Sequence, residues 1–249
     1  MEKYLFKQPL IEGLIKSRPN RFIMLVEING KIEKCHCPST GQIASISFDD
    51  IPCLVSEAED KDRKTRFTVE AISLDSKEKQ NKEWIGINQT KANEYVEFFI
   101  KLNKLSKIFP EIREIKREIK LNKSRIDFLI NNHDFLEIKT LLKDIPSESH
   151  PNYKKRKSKF VSFDRIIKHF NDISSEIKNG SRAIFLLCYL YNAKPFSVPK
   201  ENPSSKIVNV AKKSVSKGLE QWQINFKVDK EGIELIDYFK LNLFGCFSL

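Results

Sequence analysis

Up to residue 87 the chain holds only short strand-like runs and no convincing helix, which limits what its first third can become. RFIMLVEI, KIEKCHC, IPCLVS, RFTVEAISL and EWIGI carry the β-branched and aromatic residues of strands, separated by NG, STG and polar stretches. Five short strands with such turns predict a small barrel or sandwich, and a five-stranded OB-like barrel fits the count. At Thr90 the character changes. Thr90 is placed to cap a helix whose stripe is Ala92, Tyr95, Val96, Phe99 and Leu102, reaching about Lys107 before Phe-Pro. The expected division is an OB-like domain over 1–87 and a second domain over 88–249.

In the second part EIREIKREI, 111 to 119, reads as a short helix or as a lead into the next strand. SRIDFLI and FLEIKTL then read as two strands joined by the turn residues NNHD. SFDRIIKHFNDISSEIKNG predicts a helix from Ser162 to Gly180 with Ile166, Phe170, Ile173 and Ile177 buried. AIFLLCYLY, 183 to 191, fits a buried strand, 204 to 217 a helix ending at Gly218, and WQINFKV a strand with Trp222, Ile224, Phe226 and Val228 on one face. That order implies a central sheet with helices packed on it, an α/β (α+β) class.

The predicted hairpin carries the chemistry. Side chains alternate along a strand, so Glu137 and Lys139 share a face, and Asp127 joins them if the pairing register is even. Two neighbouring carboxylates repel unless a cation lies between them, and hard oxygen ligands suit Mg²⁺ or Mn²⁺. A lysine beside them can offset charge building on a phosphate, so acid, acid and lysine together suggest phosphodiester chemistry. The spacing alone also suits a solvated hairpin face, since such triplets are common on surfaces.

Composition narrows the partners. Forty-four Lys and Arg against 33 Asp and Glu give a formal charge of +11, which points to a polyanion, because phosphate neutralisation dominates nucleic-acid affinity. YKKRKSK, 153 to 159, and RKTRF, 63 to 67, concentrate that charge. Arg18, Arg21 and Phe22 with Arg63, Lys64, Arg66 and Phe67 interleave basic and aromatic residues as a strand-tracking surface would. His36, Thr40 and Gly41 read as a tight turn at that domain's binding edge. The CHC at 35 to 37 is a poor zinc site, because neighbours on a strand point to opposite faces and His36 cannot join Cys35 and Cys37. Five cysteines without a disulfide-scaffold spacing, no apolar stretch near the ~18 residues of a membrane span, and an N-terminus without a signal-peptide core set cytoplasmic as the expected location, with no membrane partner. No Gly-rich phosphate loop or nucleophile elbow is present, which speaks against ATP-driven and acyl-transfer chemistry.

Helix after strand pair, then a buried strand, is the arrangement of the PD-(D/E)xK nuclease core. LIEGLIKSRPNRF, HCPSTG, RKTRFTVEAI, WIGINQTKAN, SRIDF, LEIK, the KH at 168 and 169 and EGIEL are similar, in order, to the blocks of the sugar fermentation stimulation protein family, over nearly the whole chain. The resemblance implies an N-terminal OB-like barrel and a C-terminal PD-(D/E)xK restriction-endonuclease-like domain, with DNA as partner. By position it makes Asp127 and Glu137 the carboxylates for Mg²⁺ or Mn²⁺, Lys139 the catalytic lysine, and Glu118 a further ligand or water-orienting group. Ser124 and Arg125 would flank the site, and Arg165, Lys168 and His169 would meet a phosphate. The chain departs from the family at Phe163 and Ile166, where Thr and Gly are usual, and at Ser39 in place of asparagine. LNK also precedes SRIDF where tyrosine and glycine are usual, and a glutamine is missing after LLCYL. The expected activity is therefore a metal-dependent nuclease, with a non-catalytic DNA-binding regulator on the same scaffold as the alternative. A structural or partner-binding protein whose positive charge is only compositional is the weakest reading.

Overall fold

The computed structural model describes residues 2–60, 62–120, 125–142, 145–154, 173–174, 181–197 and 205–243. The barrel is built from β2 (Ile11–Asn20), β3 (Ile23–Ile28), β4 (Lys31–His36), β5 (Ile51–Glu57) and β6 (Phe67–Ile72). They pair in the order β4-β3-β2-β5-β6, and a parallel pairing of β4 with β6, Cys35 with Phe67 and His36 with Thr68, closes the ring. That is the topology of an OB barrel, and closure leaves few edges. The two-residue β7 (Ile85–Gly86) adds to β6. Met24, Val26, Cys35, Cys53, Val55 and Val69 fill the interior, with alternate residues turned outward as a strand requires.

One barrel strand was not legible. β2 contains Gly13 and Pro19, both poor strand residues, yet it lies between β3 and β5 and carries Ile15 into the core.

The second sheet has seven strands in the order β1-β13-β12-β11-β10-β9-β8. These are β1 (Lys3–Leu5), β8 (Ile115–Lys120), β9 (Arg125–Ile130), β10 (Asp134–Thr140), β11 (Arg182–Tyr189), β12 (Glu220–Val228) and β13 (Gly232–Lys240). β10, β11 and β12 run parallel to one another, and the flanking pairs are antiparallel. The chain therefore begins in the second sheet: Lys3, Tyr4 and Leu5 pair with Glu234, Ile233 and Gly232, so residues 3–5 belong structurally to the later unit, not to the barrel.

The helix after the barrel starts as a 3₁₀ turn, Gln89–Lys91, and continues as α1 (Ala92–Lys101). Thr90 does not cap it; its hydroxyl hydrogen-bonds the Asn88 side chain at 2.6 Å. The helix stops at Lys101, short of Lys107, with Asn103 left-handed at φ 54° just beyond. Tyr95, Val96 and Phe99 are buried as the stripe predicts, but Leu102 is exposed. The second half of EIREIKREI becomes β8, with Ile115 and Ile119 drawn into a ladder with β9. α2 (Ser205–Ser216) ends before Gly218, whose φ of 99° is the left-handed turn expected there. Of the predicted 162–180 helix only Ile173 and Ser174 are described; both are buried, and the Ser174 hydroxyl lies 3.2 Å from that of Ser214 on α2.

The barrel and the sheet are joined tightly. Gly86 donates its N–H to the Leu190 carbonyl at 2.8 Å, and a Cβ there would lie 2.5 Å from Leu190 Cβ. Leu54 and Ala71 of the barrel share one apolar cluster with Phe99, Phe128, Leu136 and Ile224. The segment after β10 is stitched to the barrel loop: Ala44 N to Leu142 O at 2.8 Å, Ser47 N to Asn152 O at 2.9 Å and Lys154 N to Ser45 O at 2.7 Å. No helix among the described residues is long and apolar enough to cross a membrane.

Candidate active site

The β9–β10 hairpin is turned by Asn131 and Asn132, both left-handed at φ 52° and 63°, a conformation asparagine tolerates better than most residues. Its register is even: Ile130 faces Asp134, Leu129 faces Phe135 and Phe128 faces Leu136. The next step along places Asp127 opposite Glu137. The ladder ends at Phe128 and Leu136, and beyond it the Asp127 carboxylate takes over, Oδ2 accepting the Ile138 N–H at 2.7 Å. Leu136 and Ile138 point into the cluster that α1 covers. Glu137 and Lys139 stand on the other face, level with Phe185 and Leu187 of β11.

Glu137 is buried, with only 3% of its side chain exposed, and Lys139 Nζ reaches its Oε1 at 2.5 Å. Burial raises the Asp127 pKa above its usual value, and the Glu137 charge raises it further; the Ile138 N–H, Lys139 and Asn93 pull the other way. Two carboxylates thus stand close enough to disfavour each other's ionisation, and the lysine is the cation the described residues supply. A hard divalent ion fits that donor set, since it would relieve the same repulsion. Among the described residues no third Asp, Glu, His or Cys completes a metal-binding cluster with them.

Glu118 is not brought to the pair. By register it lies opposite Asp127, but the ladder passes from Arg117 and Phe128 to Ile119 and Ile126 without it. Its backbone is left-handed at φ 55°, and its carboxylate lies 3.4 Å from Arg125 at an exposed position. Arg125 is thereby held at the outer edge of the hairpin. Arg165, Lys168 and His169, like Ser124, Phe163 and Ile166, lie outside the described residues.

One functional side chain escaped the sequence. Asn93, in the first turn of α1, donates from Nδ2 to Asp127 Oδ1 at 2.8 Å. Its signal was only its place in the WIGINQTKAN block, which assigns it no task.

The expected nucleic-acid residues of the barrel are spread over several positions. Arg18 spans the 39–41 turn, its guanidinium donating to the Ser39 carbonyl at 2.7 Å and the Gly41 carbonyl at 3.2 Å, with Phe48 5.7 Å beneath it. It therefore shapes the loop that exposes Thr40. Arg21 lies 4.8 Å over the exposed Phe22 ring at the β2–β3 turn. His36, on the outside of β4 while Cys35 and Cys37 are buried inside, borders a cavity with Arg63. Arg66 is paired with Glu57 at 2.7 Å, Phe67 is core, and Lys64 is exposed. No single strand-tracking row forms. The loop does reach the acidic hairpin: the Ser39 hydroxyl contacts Gln89 Oε1 at 3.3 Å, and Gln89 Nε2 donates to the Thr140 carbonyl, one residue past Lys139, at 3.1 Å. A cavity of about 1040 Å³ bordered by Trp84, Tyr191 and Lys227 includes none of the three hairpin residues.

Comparison with known proteins agrees with this architecture. Residues 17–87 match the SfsA N-terminal OB domain, and residues 90–232 match the sugar fermentation stimulation protein RE domain. A sugar fermentation stimulation protein homolog of Prochlorococcus marinus (strain MIT 9312) is 29% identical over 240 residues, covering 90% of this chain and 93% of the relative. A homolog of Synechococcus sp. (strain JA-3-3Ab) is 27% identical over 248 residues, covering 96% and 95%. Among solved structures, that of Pyrococcus furiosus SfsA in complex with Ca²⁺ superposes with a TM-score of 0.69 at 22% identity, covering 98% of this chain and 99% of that one. The two family matches divide the sequence where the barrel gives way to the sheet, and the second alone spans more than half of it: the chain belongs to the sugar fermentation stimulation protein family.

Proposed function

We propose that the chain is a metal-dependent nuclease that binds nucleic acid, DNA in the first instance, and hydrolyses a phosphodiester at Asp127, Glu137 and Lys139. The observation that carries this reading is the even hairpin register that sets Asp127 opposite the buried Glu137, with Lys139 Nζ 2.5 Å from Glu137, a pairing that a divalent cation would stabilise. Asp127 and Glu137 would hold Mg²⁺ or Mn²⁺, and the Ca²⁺ in the Pyrococcus furiosus SfsA complex is a hard ion of the same class. Bound there, such an ion supplies Lewis-acid stabilisation of the phosphoryl group and a more acidic water.

The chain's own groups divide the rest of the work. Asn93 and the Ile138 N–H fix both Asp127 oxygens, so the carboxylate loses little freedom when a ligand arrives. Lys139, part-exposed, exchanges Glu137 for a phosphate oxygen and offsets its charge. Arg125, on the hairpin edge, and Arg21 with Phe22, on the barrel, meet flanking phosphates and bases.

Glu118 contacts Arg125 and joins no metal-binding cluster among the described residues, which favours the second reading, a DNA-binding regulator on the nuclease scaffold. Incubating the chain with single- and double-stranded DNA and RNA, with Mg²⁺, Mn²⁺ or EDTA, separates them. Metal-dependent cleavage supports the nuclease; salt-sensitive binding without cleavage in either metal supports the regulator.

A further inference from the structure

A cavity of about 560 Å³ lies where the barrel wall meets the start of α1 and the N-terminal strand, within the few hundred to ~1,000 Å³ of small-ligand sites and at a seam between structural units, where such sites concentrate. Glu70 of β6, 9% exposed, lines it. Its carboxylate is fixed by the Ser56 hydroxyl at 2.6 Å and by Asn88 Nδ2 at 2.7 Å, and among the described residues no lysine, arginine or histidine forms an ion pair with it. A buried carboxylate held only by neutral donors keeps acceptor capacity on each oxygen and gains from further N–H groups. Among the described residues no cluster of acids, histidines or cysteines forms around it that would hold a metal. Half-buried Tyr4 and Phe6, their rings 6.3 Å apart, add aromatic surface to the wall. The rim mixes signs, with Lys7 bound to Glu59 at 2.7 Å, so it does not read as a phosphate cradle. The first turn of α1 links this cavity to the acidic hairpin: Lys91 and Glu94 line the cavity, while Asn93 between them holds Asp127.

We propose that this cavity is a base pocket, taking one unpaired, amino-bearing base of a single-stranded nucleic acid whose backbone then passes the first turn of α1 toward Asp127. The proposal rests on the nucleic-acid reading above and deepens it to a substrate class. The exocyclic amino group of cytosine, adenine or guanine donates to Glu70, whereas thymine flanks its single N3–H with two carbonyl acceptors that a carboxylate repels. A paired base has that edge occupied, which makes the pocket selective for single strands. Aromatic surface supplies the sequence-tolerant part of the affinity.

The test is fluorescence anisotropy of labelled 12-mer oligo(dC) and oligo(dT) at one salt concentration, with EDTA present so that no cleavage occurs. The expected result is tighter binding of oligo(dC) by roughly ten-fold, a preference erased by Glu70→Gln, whose amide offers a donor to thymine; Phe6→Ala should weaken single strands by a similar factor while leaving duplex affinity unchanged. Equal binding of the two oligonucleotides, or a preference that survives Glu70→Gln, overturns the pocket and leaves the nuclease reading standing. Binding of neither single strand nor duplex overturns both. The preference of the native chain needs no substitution, so misfolding of a variant cannot mask the answer.

Discussion

Asn93 and Asp127 are joined by a 2.8 Å hydrogen bond between α1 and β9, residues 34 apart in sequence. It ties the element that follows the barrel to the first carboxylate of the acidic hairpin. Asn93→Ala should remove one of two donors that aim the Asp127 carboxylate, lowering divalent-metal affinity or cleavage by about 10- to 100-fold. Titration calorimetry with Mn²⁺ reads the first and oligonucleotide cleavage the second, and an unchanged value in both would deny Asn93 any positioning role.

Asp127 gives a pH signature. Its pKa in the folded chain is raised above the ordinary 3.8 by burial and by Glu137, so between those two values the native state binds more protons than the unfolded one and stability falls as pH rises. Above that window Asp127 costs stability as long as no cation is bound; below about 3.8 both states are protonated and the cost disappears. Asp127→Asn should therefore melt higher than the parent at neutral pH, with the gain shrinking on acidification. Mn²⁺ should stabilise the parent and not the variant. Melting curves across pH with and without metal decide it.

The seam between barrel and sheet should be intolerant of a single methyl. A Cβ on Gly86 would sit 2.5 Å from Leu190 Cβ and 3.1 Å from Val228 Cγ2, and neither side has room to withdraw. Gly86→Ala should cost about 1–3 kcal/mol in urea denaturation, and a variant as stable as the parent would show that the two units do not pack as closely as described.

How much of this was legible follows from which forces act locally. The hairpin could be read because its two asparagines suit a left-handed turn and its alternation is carried by adjacent residues; the register stayed open in the sequence, and the structure makes it even. Much of the barrel could be read for the same reason. β8 could not be assigned, because Ile112, Ile115 and Ile119 have helical spacing and only the presence of β9 selects a strand. β1 was invisible: three residues have no periodicity, and their partner lies more than 220 positions away at Gly232–Glu234. Glu118 is left-handed inside a strand, a conformation no neighbour in the sequence demands. Asn93 is silent in sequence because a lone asparagine near a helix start names no partner. Local rules thus placed Asp127, Glu137 and Lys139 on one hairpin, while the Asn93 contact to Asp127 depends on tertiary structure.

The most direct test of the central claim is a cleavage time course with Mg²⁺ or Mn²⁺, comparing the parent chain with Asp127→Ala, Glu137→Ala and Lys139→Ala after each variant is shown to fold. The expected result is metal-dependent cleavage by the parent and a loss of at least ~100-fold in each variant, with salt-sensitive nucleic-acid binding retained. Cleavage that persists in all three variants would contradict the assignment of the centre.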